Sequence, residues 1–406
     1  MRTVLQKPLV TIREATYTRL LMILAPLLNF LSGITFDLHA PSLPAMAVYF
    51  AAPISSVKNT ISVTMFGFAI GCLIFGALLD TIGRRPSIIA GLLLYTLASF
   101  TAVFTYHIDQ LLCIRFIQGI AVSAMSVGSR ALIMDNFTGH EFKVGLLYTS
   151  FAFGLGPIIA PFIGGYLQDH LGWQANFVAY GIVSLILLAI FATCVVETKT
   201  QPSRFSFFGL LNNYLEVLKN RSFIPGIIIG GISQVQLLTY TTVGAFLVEN
   251  ILHRSATTYG QTALLVSCGY LCGTLTNRLL IKNFKLSTLL SIAFSVLFIA
   301  ILLGLLFIFT TGITLTSLVL PTFIVGFANG FLFINALTCC LSYATKAGTL
   351  TALFTCAIML IGALGTYIVS YAHVVHLRDL ITIFGLSTAI AFVVFIFGFR
   401  KIADGA

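Results

Sequence analysis

Apolar residues run along this chain in twelve long stretches separated by short polar breaks. They lie near 20 to 42, 59 to 80, 86 to 106, 110 to 134, 144 to 168, 174 to 196, 223 to 249, 258 to 281, 286 to 309, 313 to 342, 348 to 372 and 379 to 399. A run of about 20 apolar residues crosses the hydrocarbon of a bilayer as an α-helix, so the pattern predicts twelve transmembrane helices, called segments 1 to 12 here. The longest polar break, 197–222, separates a first six-helix bundle over 1–196 from a second over 223–406. Within that break Phe207 to Leu218 has the mixed pattern of an interfacial amphipathic helix on a cytoplasmic linker. The second half echoes the first faintly: Gly273 and Asn277 repeat the spacing of Gly76 and Asp80, with Arg278 following and the acid lost. Weak internal duplication with a site between the halves is what secondary transporters show. The expected fold class is an all-α membrane protein with twelve transmembrane helices in two pseudo-symmetric six-helix bundles.

Composition agrees with that reading and narrows it. Of 406 residues 58% are hydrophobic and only 8% charged, against about 25% charged in soluble proteins. Met1 to Arg19 carries basic residues but no short apolar core ending in a small-residue cleavage site, so segment 1 is expected to stay in the membrane. The net charge of +10 could suggest a nucleic-acid partner, but 18 of the 22 Lys and Arg fall on the side of the N-terminus. Only Lys58, Arg254 and Arg378 lie opposite, and Arg115 lies inside segment 4. By the positive-inside rule both termini are then cytoplasmic, and the excess charge reports topology in a lipid bilayer, with no nucleic acid implied.

Several chemistries find no support. The eight cysteines fall in or at the ends of segments; the spacing of Cys268 and Cys272 admits a metal, but small buried packing is the stronger reading. His107, His170, His253, His373 and His376 map to the outer side without a carboxylate cluster, so no metal site is expected. There is no Gly-x-x-x-x-Gly-Lys-Ser/Thr loop for ATP and no nucleophile and base at hydrolase spacing, so the chain does not read as an enzyme.

The polar exceptions inside the segments are the candidate chemistry. Asp37, in Asn29-Phe-Leu-Ser-Gly-Ile-Thr-Phe-Asp37-Leu-His-Ala-Pro41-Ser-Leu-Pro44, is an acid well inside an apolar run. Such a group costs a few kcal/mol unless it is protonated, paired or wetted, which makes it a functional hypothesis by default. Asn29, Gly33, Asp37 and Pro41 form one stripe at four-residue steps, expected to face the bundle interior. Pro41 and Pro44 either open a mobile, wetted mouth or simply terminate the helix on the outer side. Arg115 in segment 4 lies at a depth similar to Asp37, about 8 Å in from the outer ends at a rise of about 1.5 Å per residue. It either pairs with Asp37 or braces the bundle through backbone carbonyls. In segments 7 and 10, Gln234, Gln236, Tyr240, Asn329 and Asn335 are either cavity residues or interhelical glue. Trp173, the single tryptophan, is expected at the outer interface as an anchor.

Four motifs carry a family resemblance. Gly76-Ala-Leu-Leu-Asp80-Thr-Ile-Gly83-Arg84-Arg85 resembles the signature loop between helices 2 and 3 of the major facilitator superfamily. Arg115-Phe-Ile-Gln118-Gly119 resembles that superfamily's helix-4 signature. Arg130-Ala-Leu-Ile-Met-Asp135 is similar to the Arg-Ala-x-x-x-Asp stretch of the bacterial Bcr/CflA-type drug/proton antiporters. In segment 5, Gly156-Pro157-Ile-Ile-Ala160-Pro161-Phe-Ile-Gly164-Gly165 looks like the antiporters' Gly-Pro-x-x-Gly-Gly signature, with Ala160-Pro161 replacing the usual Gly-Pro. Gly156, Ala160 and Gly164 also permit close helix packing without any role in antiport.

The resemblance implies the major facilitator fold and proton-coupled export of a drug or metabolite across the bacterial inner membrane. It further implies a monomer working by alternating access, with protons as the coupling ion and no cofactor. Asp37 would exchange a proton against substrate and Arg115 would modulate it, with Gln118, Asn29 and the polar residues of segments 7 and 10 toward the substrate. Asp80, Gly83, Arg84, Arg85, Arg130 and Asp135 would form a cytoplasmic gate. One departure matters: related multidrug exchangers carry a second acid deeper in helix 1, and here that place is Asn29. Loss of that acid favours neutral, zwitterionic or anionic substrates over lipophilic cations. An importer or exporter of an endogenous metabolite such as a siderophore shares the fold, and a membrane sensor is the weakest alternative.

Overall fold

The computed structural model of the protein describes residues 14–198, 222–342 and 347–404, and the amphipathic segment expected at Phe207 to Leu218 lies outside them. Every regular element among the described residues is helical. Two compact units divide the chain, Met1–Phe205 and Ser206–Ala406.

The first unit holds α1 (Glu14–Asp37), α2 (Leu43–Tyr49), α3 (Ile54–Thr81), α4 (Arg84–Ala102), α5 (Ile108–Asn136), α6 (Gly139–Leu171) and α7 (Gln174–Cys194). The second holds α8 (Phe223–Phe246), α9 (Ala256–Leu280), α10 (Leu286–Thr310), α11 (Leu315–Ser342), α12 (Ala347–Tyr371), α13 (Leu377–Val394) and the short α14 (Arg400–Asp404). Eleven helical runs among the described residues are long and apolar enough to cross a membrane. The twelfth long helix, α9, carries Thr, Gln, Ser and Asn along its length and is not among them. Two of those polar side chains are buried against protein neighbours: Thr262 receives the Tyr240 hydroxyl, and Asn277 pairs with Asn335.

The two units repeat one packing scheme. In the first, α3 lies on α5, α1 on α6 and α5, and α4 on α5 and α7; in the second, α9 lies on α11, α8 on α12 and α11, and α10 on α11 and α13. The closest contacts repeat as well. A Cβ on Gly67 would run into the Phe116 carbonyl and one on Gly71 into Ile120, while one on Gly269 would meet the Phe323 carbonyl and one on Gly273 the Phe327 carbonyl. Gly273 is therefore the packing counterpart of Gly71. The echo of Gly76 and Asp80 expected at Gly273 and Asn277 is out of register, since a Cβ on Gly76 would meet open space.

The first segment departs most from expectation. It does not run straight to residue 42 but stops as an α-helix at Asp37, passes through a turn of 3-10 helix at Ala40–Ser42, and resumes as α2. Pro41 and Pro44 start the pieces that follow, standing in the first turn of each. Without an N–H, Pro41 cannot return a bond to the Asp37 carbonyl, which breaks the helix there, and its fixed φ suits the start of the next turn. Pro41 thus does end α1, as the terminator reading expects, but the chain resumes as α2 beyond it and residues 36–44 are all buried.

Small residues hold α1 against α6. A Cβ on Gly33 or Gly156 would strike the other helix's backbone, and one on Gly164 would strike the Leu38 carbonyl in the break. Trp173 is only 4% exposed and packs with Tyr49, Phe50 and Phe177, so it is a core residue and not an interface anchor.

Gly164→Val should therefore lower thermal stability in detergent by about 1–3 kcal/mol. Gly154→Ala, on a face with nothing within 4 Å, should leave the melting temperature unchanged.

Candidate functional site

An α-helix leaves its last carbonyls without intrahelical donors, and inside a membrane they must find protein partners. At the end of α1 the Ile34 carbonyl takes the Leu38 N–H at 3.1 Å. The Thr35 carbonyl is reached by two side chains from other helices: Arg115 of α5 donates Nη2–H at 2.8 Å, and Tyr180 of α7 donates its hydroxyl at 3.0 Å. A cation on a helix C-terminus also meets the negative end of the macrodipole. Arg115 thus does brace the bundle through a backbone carbonyl, and its position is fixed by the broken helix.

The arginine is held from its other side too. Nη1 donates to Gln118 Oε1 at 2.8 Å, and Gln118 Nε2 donates to Ser99 Oγ of α4 at 2.8 Å. The guanidinium carbon lies 5.9 Å from the Phe177 ring centroid and 5.8 Å from that of Tyr180. Asp37, 4% exposed, interacts electrostatically with Arg115 and with Tyr180. Tyr95 stands 2.8 Å from Thr35 Oγ1, which donates to the Leu31 carbonyl, so the tyrosine hydroxyl is the donor between them. Asp37, Arg115 and Gln118 are therefore brought into one buried network that joins α1, α4, α5 and α7. His39, fully buried and 3.1 Å from Thr60 Oγ1, belongs to it as well. Sequence reading of the other histidines passed over it; its place two residues beyond Asp37, between an acid and a proline, was the available signal.

Asn29 is not at this network. Its Nδ2 donates to the Thr149 carbonyl of α6 at 2.8 Å, and with Gly33 it forms the α1 face against α6. The stripe from Asn29 through Gly33 is a packing seam, and Gly156 and Gly164 are its other side on α6; Pro157, Ala160, Pro161 and Gly165 lie within the same unbroken helix.

Most of the residues expected at a cytoplasmic gate form a second cluster at the opposite end of the same unit. Arg84 Nη1 meets Asp80 Oδ1 at 2.7 Å, and its Nε meets Asp135 Oδ2 at 2.9 Å. Thr198 donates to the same Asp135 oxygen at 2.8 Å. Glu197, which sequence reading missed, accepts the backbone N–H groups of Arg84 and Arg85 at 2.9 and 3.0 Å, capping the first turn of α4. Gly83 has φ +120°, where a side chain would be strained and its Cβ would press into the Glu197 carboxylate. Arg85 is buried and donates to the Ala192 carbonyl at 2.7 Å. Arg130, half-buried on α5, makes no hydrogen bond or ion pair with this cluster among the described residues.

In the second unit the candidates divide. Gln236 donates to Ser387 at 3.0 Å and Thr388 at 2.9 Å, Tyr240 donates to Thr262 at 2.6 Å, and Asn335 donates to Asn277 at 2.8 Å. Each joins two helices of its own unit. Gln234 is half-buried, and Asn329 is fully buried with neither amide atom hydrogen-bonded among the described residues. Among the described residues no cluster of His, Cys, Asp or Glu could hold a metal, and none of the eight cysteines forms a disulfide.

The sequence model of the Major Facilitator Superfamily matches residues 27–366. An uncharacterized transporter of Rickettsia bellii is 29% identical over 260 residues, 62% of this chain and 63% of the relative. The chloramphenicol resistance protein CraA of Acinetobacter baumannii is 26% identical over 63% of this chain and 61% of its own. The bicyclomycin resistance protein homolog of Haemophilus influenzae is 23% identical over 68% of this chain and 69% of its own. The matched stretches thus span just under two thirds of the first two relatives. Among solved structures, a D-xylose-proton symporter superposes with a TM-score of 0.76 at 17% identity, covering 96% of this chain and 99% of that one. A peptide transporter in complex with sulfate gives 0.74 at 11% identity, with 95% and 97% covered. At these identities the likeness shows the fold alone.

Arg115→Lys should test the brace. A lysine keeps the charge but lacks the planar fork that reaches Thr35 and Gln118 together. It should lose one charge-assisted bond, about 1.5–3 kcal/mol, seen as a lower melting temperature, while Lys143→Ala on the exposed start of α6 leaves melting unchanged.

Proposed function

Because this chain belongs to the Major Facilitator Superfamily, we propose that it is a secondary active transporter exporting a small drug-like molecule in exchange for protons. The observation that carries the reading is Asp37, a buried acid on the last residue of a helix that breaks inside the first unit. Ionisable groups inside a membrane are costly and rare, and they mark proton and substrate pathways. Asp37 sits where movement of the break would change its exposure, and Arg115 on the Thr35 carbonyl holds a fixed positive charge beside it. Proton and substrate then compete for the same place: the acid is neutralised by a proton from one side and released when substrate is bound from the other.

The substrate class follows from Asn29. Position 29 carries an amide and not an acid, and that amide is committed to the Thr149 carbonyl. With Arg115 the strong cation of the network, neutral or zwitterionic aromatic compounds of the chloramphenicol kind suit it better than lipophilic cations. The name of the Acinetobacter relative supports that class. The transporter is proposed to act as a monomer in the bacterial inner membrane with both termini cytoplasmic, and the Asp80, Arg84 and Asp135 cluster to stabilise one end of the transport cycle.

In proteoliposomes, chloramphenicol flux should follow an imposed pH gradient in the wild type, and Asp37→Asn should abolish the gradient dependence. Flux that ignores the gradient in the wild type would refute proton coupling.

A further inference from the structure

The helices α4 and α5 carry four arginines, and three of them are engaged by the protein itself. Arg84 meets Asp80 and Asp135, Arg85 donates to the Ala192 carbonyl, and Arg115 donates to the Thr35 carbonyl and to Gln118. Arg130 makes no hydrogen bond or ion pair among the described residues. It is half-buried, and none of its guanidinium nitrogens is fully buried, so the unpaired fork opens onto space and not onto packed side chains. Protein neighbours nevertheless strip much of its hydration. A charge in that position inside a membrane is costly and marks a substrate or ion pathway.

Reaching back to the gate does not account for it. A helical side chain leans toward the N-terminus of its own helix, which carries Arg130 away from Asp135. The group it interacts with electrostatically is Cys72 of α3. Cys72 lies nine residues before Thr81, the last residue of α3, about 14 Å inside that end at a rise of about 1.5 Å per residue. One turn on from Cys72, a Cβ on Gly76 would meet nothing within 4 Å, so α3 leaves open space along this stretch.

We propose that Arg130 binds the anionic group, a carboxylate or a group of similar charge and shape, of the transported molecule. The planar fork matches a carboxylate with two parallel bonds. The protein supplies no such partner, because Asp80 and Asp135 are both held by Arg84 and a thiol such as that of Cys72 is a weak acceptor. A free inorganic anion gives up its hydration at this depth, whereas a carboxylate carried on an apolar body also buries that body, which offsets the loss. Arg130 thereby favours acidic and zwitterionic cargo over neutral cargo. That the occupant is cargo rests on the exporter reading, whereas the unpaired cation does not.

The test is equilibrium binding to the purified full chain in lipid nanodiscs of two probes that differ by one carboxylate, chloramphenicol and its hemisuccinate ester. Arg130→Gln should lower the ratio of hemisuccinate to chloramphenicol affinity about tenfold or more, the worth of one charge-assisted bond. Arg130→Lys, which keeps the charge without the fork, should lower it less. Should Arg130→Gln not fold, Cys72→Asp, which sets a carboxylate of the protein's own near the guanidinium, must lower the same ratio. An unchanged ratio, as a purely structural arginine would give, overturns the proposal. So does stabilisation against heat by sodium sulfate alone that Arg130→Gln abolishes, which would assign the site to a free inorganic anion. Gradient-driven chloramphenicol flux with an unchanged ratio refutes the anion site alone, while a lowered ratio without gradient-driven flux of either probe refutes proton-driven export alone.

Discussion

A helix that stops inside a membrane protein leaves carbonyl groups that no water can satisfy, and the first unit is arranged around that constraint. The Thr35 carbonyl at the end of α1 collects the Arg115 guanidinium and the Tyr180 hydroxyl. From that one oxygen the network runs through Gln118 to Ser99 and through Thr35 itself to Tyr95. Removing the break would strand a buried arginine, and removing the arginine would strand part of the break. Each explains the presence of the other, and Asp37 is the residue on which the break falls.

The seam between α1 and α6 makes the break possible. Gly33, Gly156 and Gly164 bring two backbones together closely enough that the turn at Leu38 rests on α6. Asn29 closes the same seam one turn deeper by donating to Thr149. The polar stripe of segment 1 therefore divides along its length, a packing seam at Asn29 and Gly33 and a buried acid at Asp37. The opposite end of the unit shows the same economy, where Glu197 caps α4 and the loop glycine leaves room for it.

Much of this was legible in the sequence. Twelve apolar runs gave the helices to within a few residues, because hydrocarbon thickness leaves little freedom in helix length. Asp37 and Arg115 stood out because charge inside an apolar run is costly. What pattern alone could not show was direction. Asn29 and Asp37 share a stripe by spacing, yet the break at Asp37 sends them to different neighbours. Trp173 looked interfacial by residue type and is buried by Tyr49 and Phe50, which reach it only because the chain resumes as α2 beyond the break. Glu197 was invisible because its partners are backbone N–H groups, which leave no mark on side-chain pattern. His39 was masked by its apolar surroundings, since a lone buried histidine resembles any other packed ring.

The central claim is that Asp37, at the arginine-braced end of α1, is where proton and substrate exclude one another. Its most direct test is the count of protons released when chloramphenicol is added to the purified protein in weakly buffered detergent solution. Wild-type protein should release protons on binding, and Asp37→Asn at equal occupancy should release none. Release of the same size from the variant would contradict the account.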